Sequence, residues 1–268
     1  MVEKNNKNNG GERFLFEGTA WYYAKYRPPY PQQVFRRLVE RFHLDGIGNL
    51  VDLGCGTGEL AIPLHQYFER VYAVDNDADM LNEGRKKDKE LGATNIQWFE
   101  ERAEDIVGNL GTFRLVVIGN AFHWMDRRLV LTKACNNLCS GGGIAIINGR
   151  SIWNGPEQWQ ALVVSIIKKW LGEERRTREG IYKPPQECFE DLLADFFPRV
   201  EKEILSYRYL WDINTLLGYL YSTSFCSRKL LGSSVENFEQ DLRNTLISYN
   251  PSGTFEEEIP VSMVLAWK

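Results

Sequence analysis

The chain has 268 residues, 43% of them hydrophobic, and a net charge of −4. This length suits one large domain with an insertion, or a domain with a small cap, and the composition supplies enough apolar residues for a buried core. No block of Lys or Arg stands apart from neighbouring acids, which argues against a nucleic-acid partner because backbone binding needs a concentrated cationic surface.

Composition also argues against a membrane anchor and a metal centre. No apolar run reaches about 18 residues, and no secretory hydrophobic region opens the chain. The five cysteines include no C-x-x-C pair, and Cys135 and Cys139 have no second pair or His to complete a zinc set. We therefore predict a cytoplasmic protein with reduced thiols, no metal site and no membrane segment.

Two contrasting stretches precede the first predicted strand. Residues 1–12 are rich in Asn and Gly, which predicts a disordered tail. Residues 21–31 are rich in aromatic residues and proline. The prolines end any helix at Arg27, and Gln32–Phe42 has apolar residues at helical spacing. Taken alone, this segment is explained as a hydrophobic staple that seals the edge of a sheet.

A glycine-dense turn, Gly54–Gly58, follows the apolar run Leu50–Leu53 and precedes a stretch with helical spacing. Strand, glycine loop and helix in this order are how doubly wound α/β domains hold an adenosine-bearing cofactor. Glycine serves where the turn needs positive φ and where a ligand approaches the backbone closely. A second apolar run, Val71–Val74, ends at Asp75, whose carboxylate is placed to accept hydrogen bonds from ribose hydroxyls.

The glycine spacing separates this turn from two common nucleotide motifs. The spacing is G-x-G-x-G, whereas the dinucleotide motif is G-x-G-x-x-G, and no G-x-x-x-x-G-K-[ST] loop occurs. Asp52 adds an acidic group that would repel a pyrophosphate and would suit an ammonium or sulfonium group. The string Val51–Gly58 resembles the glycine motif of class I S-adenosylmethionine-dependent methyltransferases. The resemblance implies that S-adenosylmethionine is the cofactor and that Asp75 holds its ribose.

Three further strings resemble a small-molecule branch of that family, related to trans-aconitate methyltransferase. They are the aromatic–proline segment 21–31, Ala121–Asp126 and Trp211–Ser224. The resemblance implies that the first of them covers the cofactor, with tyrosine and arginine near its carboxylate. The cofactor-binding residues predicted in this way are Tyr26, Arg27, Asp52, Gly54, Cys55, Gly56, Gly58, Asp75, Asn76, Met80, Ala103, Glu104, Asn120, Ala121 and Trp124.

One of these assignments and the choice of a catalytic group leave alternatives open. Glu104 is predicted near the adenine, but a helix N-cap explains it equally well. His123 follows the fourth apolar run, where ligands sit, although a lone His is more often structural. The resemblance makes Tyr22 and His123 the candidate catalytic residues, and the hydroxyls of Tyr182 and Tyr221 are further candidates for a base or an orienting group. A base is needed only if the acceptor is protonated.

The apolar runs alternate with helical patterns, which predicts a doubly wound α/β fold with a seven-stranded, mostly parallel sheet and a helical cap after strand five. The predicted strands are Leu50–Leu53, Val71–Val74, Ile96–Phe99, Leu115–Ile118, Ile144–Ile147, Val200–Tyr207 and Ile259–Trp267. The glycine-rich residues 140–143 are predicted as a turn before the fifth of them. The predicted organisation is a tail over residues 1–12, a cofactor-binding Rossmann-like core over 13–150, a helical substrate cap over 151–199, and strands and helices over 200–268 that complete the sheet and cap.

The predicted activity is methyl transfer from S-adenosylmethionine to an O, N or C nucleophile of a small molecule. A cap rich in Trp, Tyr and Phe favours a partly apolar or aromatic acceptor. The alternatives are a methyltransferase acting on protein or RNA and a protein that binds the cofactor without methylating. A nicotinamide-dependent dehydrogenase is disfavoured because the third glycine is misplaced. We expect a monomer or a homodimer.

Overall fold

The structure is a computed structural model that describes residues 18–174, 176–177, 180–181 and 187–268. The predicted tail 1–12 and the candidate Tyr182 lie outside these residues. The described chain divides into two compact units. The sheet unit contains the described residues of Pro28–Ser151, Pro185–Tyr209 and Glu258–Lys268, and the helical unit contains those of Met1–Arg27, Ile152–Pro184 and Leu210–Glu257.

The elements carry labels in chain order. The strands are β1 (Asn49–Leu53), β2 (Arg70–Asp75), β3 (Ile96–Glu100), β4 (Phe113–Gly119), β5 (Leu138–Gly149), β6 (Arg176–Thr177), β7 (Gly180–Ile181), β8 (Arg199–Asp212) and β9 (Thr254–Trp267). The α-helices are α1 (Ala20–Tyr26), α2 (Gln32–Phe42), α3 (Ala61–Leu64), α4 (Ala78–Leu91), α5 (Ala103–Ile106), α6 (Arg127–Asn137), α7 (Gln158–Leu171), α8 (Phe189–Ala194), α9 (Ile213–Tyr221), α10 (Arg228–Leu231) and α11 (Val235–Tyr249).

Among the described residues, seven strands form one sheet in the order β3-β2-β1-β4-β5-β9-β8. Strands β1 to β5 pair in parallel, and β9 runs antiparallel to β5. The predicted seven-stranded, mostly parallel, doubly wound α/β sheet is therefore confirmed. The strand order reverses between β1 and β4, and ligands of such folds bind at the carboxyl ends of the strands beside this reversal.

Two apolar cores cover the two faces of the sheet. One face packs against Val34, Leu38 and other residues of α2. The opposite face packs against Val130 and Leu131 of α6 and Leu192 of α8. Each fully buried aliphatic side chain contributes about 1.5–3 kcal/mol. Burial on both faces explains why the central strands are uninterrupted apolar runs in the sequence.

The glycine-rich residues 140–143, which the sequence predicted as a turn before strand five, lie inside β5. The register of β4 against β5 shifts after Phe113, so this part of the strand is irregular. A Cβ on Gly142 would lie 2.8 Å from the carbonyl oxygen of Arg114, and one on Gly143 would lie 2.2 Å from that of Ala266. These glycines therefore serve the close approach of neighbouring strands.

Two carboxylates of the helical unit accept hydrogen bonds from other side chains. Both oxygens of the Glu257 carboxylate accept hydrogen bonds, one from Gln160 Nε2 and one from Trp211 Nε1, each at 2.8 Å. On α11, the Asp241 carboxylate accepts from Lys169 and Trp170 of α7. The Asp241 bonds therefore join α7 to α11, and the Glu257 bonds join α7 to β8 and β9.

Helix α1 lies directly against α9 in the helical unit. A Cβ on Gly218 would lie 2.2 Å from Cγ of Tyr26, so the tyrosine ring occupies the space that any larger residue at position 218 would need. None of the described helices is long and apolar enough to span a bilayer. Within the part of the chain that the structure describes, no group of three or more His, Cys, Asp or Glu residues is arranged to hold a metal ion.

Candidate cofactor site

The glycine loop joins β1 to α3 at the carboxyl end of the sheet. Gly54, Gly56 and Gly58 all have positive φ, at 68°, 54° and 85°. The backbone N–H of Gly54 donates to the carbonyl of Val74 at 2.8 Å, which ties the loop to β2. A Cβ on Gly54 would lie 2.4 Å from Cβ of Ala121, so the loop packs directly against the chain leaving β4. Both the conformation and the space at this loop therefore require glycine.

A tryptophan from β3 holds the far side of the same loop. A Cβ on Gly58 would lie 2.7 Å from Cη2 of Trp98, and a Cβ on Gly84 of α4 would lie 2.5 Å from Cζ3 of the same ring. The indole Nε1 donates to the Asp88 carboxylate at 3.0 Å, which fixes the ring. One ring thus separates the glycine loop from α4. Gly84 was not found from the sequence, because an isolated glycine in a helix gives no signal for a distant partner.

Asp75 ends β2 and is tied to the glycine loop. Its Oδ2 accepts the N–H of Gly56 at 2.8 Å, and its Oδ1 accepts the N–H of Asp77 at 2.9 Å. Burial raises the pKa of Asp75 to about 6, although these two hydrogen bonds act to lower it. Asp77 in turn caps α4 by accepting from the N–H groups of Asp79 and Met80. The carboxylate is therefore held at the edge where the sequence predicted a ribose-binding group.

Asp52 is almost completely buried, with 1% of its surface exposed. Its Oδ2 accepts the N–H of Ala61, the first residue of α3, at 2.9 Å. Burial raises the pKa of Asp52 to about 8, and the nearby carboxylates of Glu59 and Asp75 raise it further. In the protein alone, this carboxyl group is therefore mainly neutral at pH 7. The anionic side chain expected from the sequence is present only at higher pH.

Three other residues that the sequence predicted to bind the cofactor lie in or after the loop. Cys55 is buried, and burial raises its thiol pKa well above the ordinary value, so its side chain is not a nucleophile. Asn76 is exposed directly after Asp75, and Met80 is buried in the first turn of α4. Their predicted contacts with the cofactor stay predictions.

Glu104 links two loops at the carboxyl end of the sheet. Ala103 and Glu104 open α5 and both are buried. The Glu104 carboxylate accepts the N–H of Asp126, the N-cap of α6, at 2.8 Å. The alternative that Glu104 caps its own helix is wrong, because Arg102 occupies the N-cap position of α5. Its predicted adenine contact stays a prediction.

The chain leaving β4 carries the remaining predicted residues of the sheet unit. Asn120 has a φ of 52°, and Phe122 is fully buried, which anchors the short 3₁₀ turn Phe122–Trp124. His123 is exposed, and its ring lies 4.8 Å from that of Trp124, which is 39% exposed. The structure thus places His123 and Trp124 on the surface of the turn that packs against the glycine loop.

Tyr22, Tyr26 and Arg27 belong to the helical unit. The Arg27 guanidinium donates to the hydroxyl of Ser222 at 2.9 Å and to its carbonyl at 3.3 Å. It also lies over the rings of Tyr23 and Tyr219, at 4.6 Å and 5.2 Å. The structure therefore groups these residues among aromatic rings. Sequence reasoning named Arg27 but missed Ser222, which orients it.

Tyr221, a further candidate from the sequence, lies in the same group. Its ring contacts the edge of the Tyr22 ring at 5.4 Å, and its hydroxyl donates to the Glu239 carboxylate at 2.7 Å. Burial and this carboxylate raise the phenol pKa far above the ordinary value. Tyr221 therefore stays protonated, which argues against a role as a base, and its candidate role as an orienting group stays a prediction.

Comparisons with known proteins agree with this geometry. Residues 50–143 match the family described as "Methyltransferase domain". CRG1 of Saccharomyces cerevisiae, itself described as a probable S-adenosylmethionine-dependent methyltransferase, is 27% identical over 126 residues, which are 46% of this chain and 43% of CRG1. A Dictyostelium discoideum protein described as a candidate methyltransferase is 22% identical over 255 residues, 92% of each chain. The match thus spans less than half of CRG1 and nearly all of the second relative.

A solved structure shows the same fold. It comes from Anaeromyxobacter dehalogenans, is described as a candidate type II methyltransferase, and gives a TM-score of 0.58 at 20% identity over 90% of this chain and 96% of that chain. Residues 50–143 therefore form a methyltransferase domain, and their strand order and glycine loop are those of class I S-adenosylmethionine-dependent methyltransferases. S-adenosylmethionine is the cofactor of this domain. The resemblance to the trans-aconitate methyltransferase branch stays a prediction.

Proposed function

We propose that the chain transfers a methyl group from S-adenosylmethionine to an O, N or C nucleophile of a small, partly apolar or aromatic molecule. The observation that carries this proposal is the glycine loop with Asp75 hydrogen-bonded to Gly56. When bound, S-adenosylmethionine supplies an electrophilic methyl group on a sulfonium. The chain's own task is to bind, align the acceptor and exclude water, because an in-line displacement needs little covalent help.

The polar groups around the loop fit this cofactor chemically. Asp75 is an acceptor with two oxygens at the end of β2, which suits a pair of ribose hydroxyls. Lys87 of α4 donates to the Glu59 carboxylate at 2.7 Å and to Thr57 Oγ1 at 3.1 Å, so its charge is already paired. An acceptor carboxylate at Asp75 beside a paired lysine favours a hydroxyl-bearing ligand over one with a pyrophosphate.

The helical unit supports a small acceptor. Its aromatic group contains Tyr22, Tyr26, Tyr219 and Tyr221, whose polar neighbours are hydroxyl groups or paired charges. An aromatic group of this kind suits a compact acceptor with an aromatic or apolar body. The net charge of −4 gives no support to a nucleic-acid acceptor.

The proposed general base, where the acceptor needs one, is His123. It lies on the exposed turn after β4 that packs on the glycine loop through Ala121, and an imidazole titrates in the physiological range. Tyr22 and Arg27 would orient the acceptor or the cofactor carboxylate, since Arg27 keeps donors beyond those used by Ser222. We further propose a cytoplasmic protein that works as a monomer or homodimer.

Calorimetric titration with S-adenosylmethionine, S-adenosylhomocysteine and NAD tests the cofactor part of this proposal. We expect micromolar binding of the first two and none of NAD. Asp75→Ala should weaken binding by about 1–3 kcal/mol, because ribose hydroxyls lose a charged acceptor. Asp79→Ala is the matched control, since this acidic residue lies nearby in the first turn of α4. Equal affinities of the two variants would remove the ribose assignment.

Transfer of a labelled methyl group to a panel of small carboxylates, phenols and amines tests the acceptor part. We expect turnover with at least one of them and none with RNA or unfolded protein. Methylation of RNA or protein alone would contradict the proposal of a small-molecule acceptor. Tight cofactor binding without transfer to any acceptor would favour a binding protein on the same scaffold.

A further inference from the structure

Asn120 has a backbone conformation that its position does not explain. Only two non-glycine residues of the described chain have positive φ, namely His43 at 49° and Asn120 at 52°. His43 ends α2, where a left-handed residue is a common cap. Asn120 instead follows a strand. Asparagine tolerates this conformation better than most residues, but it persists only where surrounding contacts support it.

Three hydrogen bonds supply that support, and in one of them Asn120 donates to a tyrosine that is distant in the sequence. Asn120 Nδ2 donates to the Tyr30 hydroxyl oxygen at 2.8 Å, and Asn120 Oδ1 accepts the N–H of Gly149 at 2.9 Å. The backbone N–H of Asn120 donates to the carbonyl of Ile147 at 2.8 Å. Asn120 is therefore joined to β5 twice and to the segment before α2 once, all within the sheet unit.

The residues on either side of Asn120 have no spare room. A Cβ on Gly119 would lie 2.8 Å from the Tyr30 hydroxyl oxygen and 2.9 Å from Cδ1 of Leu60. On the other side, Ala121 fills the space above Gly54 of the glycine loop. Contacts therefore run without a gap from Tyr30 through residues 119–121 to the cofactor loop.

We propose that Tyr30 and Asn120 act as a positioning pair for the cofactor. Their hydrogen bond holds the turn after β4 in its left-handed conformation, and this turn sets the position of Gly54 through Ala121. Asn120 was predicted as a pocket-lining residue, whereas Tyr30 was not assigned to the site. The inference rests on the proposed cofactor site, and it adds a residue from the aromatic–proline segment that acts through another side chain.

S-adenosylhomocysteine binding to four variants, measured by calorimetry, tests the pair. Tyr30→Phe keeps the ring and removes the acceptor oxygen, so affinity should fall by about three- to tenfold. Asn120→Ala should lower it by more than about tenfold, because the left-handed backbone loses its support. Asn120→Gly should recover part of that loss, since glycine adopts positive φ without strain. The double variant Tyr30→Phe/Asn120→Ala should lose less than the product of the two single losses.

Asn95→Ala is the matched control for a purely structural amide. Asn95 Nδ2 donates to the carbonyls of His65 and Phe68, both at 2.9 Å, and it precedes β3 at the amino end of the sheet. This variant should lower the melting temperature and leave S-adenosylhomocysteine affinity unchanged at temperatures where the protein is folded. A structural role for Tyr30 and Asn120 would give the same pattern.

The outcomes distinguish failure of the positioning pair from failure of the proposed function. Unchanged affinity in Tyr30→Phe and Asn120→Ala, or losses that multiply fully in the double variant, would overturn the positioning pair while leaving the cofactor site intact. Absence of S-adenosylhomocysteine binding to the unaltered protein would instead refute the proposed function, and the pair would fall with it. Coupled losses with recovery in Asn120→Gly would support the pair.

Discussion

The sheet unit and the helical unit both depend on glycines that leave room for a neighbour, but in different ways. Gly54 has a positive φ and lets a loop approach Ala121, so the glycine shapes the backbone. Gly218 lies within helix α9, and its missing side chain admits the ring of Tyr26. The first glycine belongs to a motif that can be recognised in the sequence. The second has meaning only together with its distant partner.

The carboxylates of the two units also differ in the kind of hydrogen-bond donor they accept from. Asp75 accepts hydrogen bonds from backbone N–H groups at the end of a strand, which fixes the course of the cofactor loop. Glu257 of β9 accepts from the side chains of Gln160 in α7 and Trp211 in β8, which joins a helix to two strands. The sheet unit therefore uses polar groups to build a binding loop, whereas the helical unit uses them to hold a particular packing of aromatic rings.

The strongest test of this comparison is Gly54→Ala. A methyl group there meets both positive φ and Cβ of Ala121, so S-adenosylhomocysteine affinity should fall by about 100-fold or more. Gly92→Ala is the matched control, because Gly92 has a φ of 76° with nothing within 4 Å of its would-be Cβ. It should lose about 1 kcal/mol of stability and keep its affinity. Similar calorimetric losses in both variants would show that only backbone strain matters at Gly54.

Gly218→Ala tests the helical unit. The added methyl group would displace the Tyr26 ring, which should cost about 1–3 kcal/mol of unfolding free energy. In a Tyr26→Ala background the same substitution should cost almost nothing, because the ring is gone. Denaturant unfolding of the four proteins of this cycle measures the coupling. Equal costs in both backgrounds would contradict the assigned packing.

The pH dependence of cofactor binding sharpens the account of Asp75. With a pKa of about 6, the carboxyl group is ionised above that pH and accepts ribose hydroxyls best in that form. S-adenosylhomocysteine affinity should therefore fall as pH drops below about 6, by about tenfold at one unit lower. Calorimetry across this range gives the profile. The dependence should disappear in Asp75→Asn, and a flat profile in the unaltered protein would argue against an ionised acceptor.

Asp52→Asn should stabilise the protein at pH values above the pKa of Asp52. The folded-state pKa of about 8 lies above the ordinary value of 3.8, so the folded chain keeps a proton that the unfolded chain releases. The resulting stability is present below about pH 4 and is lost as pH rises through about 8. An uncharged amide does not titrate, so thermal unfolding at pH 8.5 should occur at a higher temperature in the variant. A lower melting temperature there would contradict this.

The parts of the fold that the sequence predicted are those fixed by local patterns. Strands buried on both faces appear as apolar runs in the sequence. The loop Gly54–Gly58 can be recognised from the spacing of its glycines. The turn predicted at residues 140–143 was wrong. Gly142 and Gly143 lie inside β5, where neighbouring strands come too close for a side chain. Strand β8 extends beyond its predicted end, because exposed and partly buried residues alternate along it and no continuous apolar run marks its length.

Site residues that act through long-range partners were harder to find. The Glu104 carboxylate reaches the N–H of Asp126, and the Tyr30 hydroxyl reaches Asn120, across separations that no local pattern encodes. Trp98 appeared only as a strand residue in the sequence. Its contacts with the glycine loop require the sheet to be assembled first.

The Trp98 ring also has a consequence for how this family can vary. Gly58 and Gly84 are confined by the same indole, so neither can gain a side chain while the ring is present. A homologue with a small residue at position 98 would release Gly84, whereas Gly58 would stay constrained by its φ of 85° and by Ile62. Aligned relatives should therefore show correlated substitution at positions 84 and 98, with a larger residue at 84 appearing only where the tryptophan has been replaced.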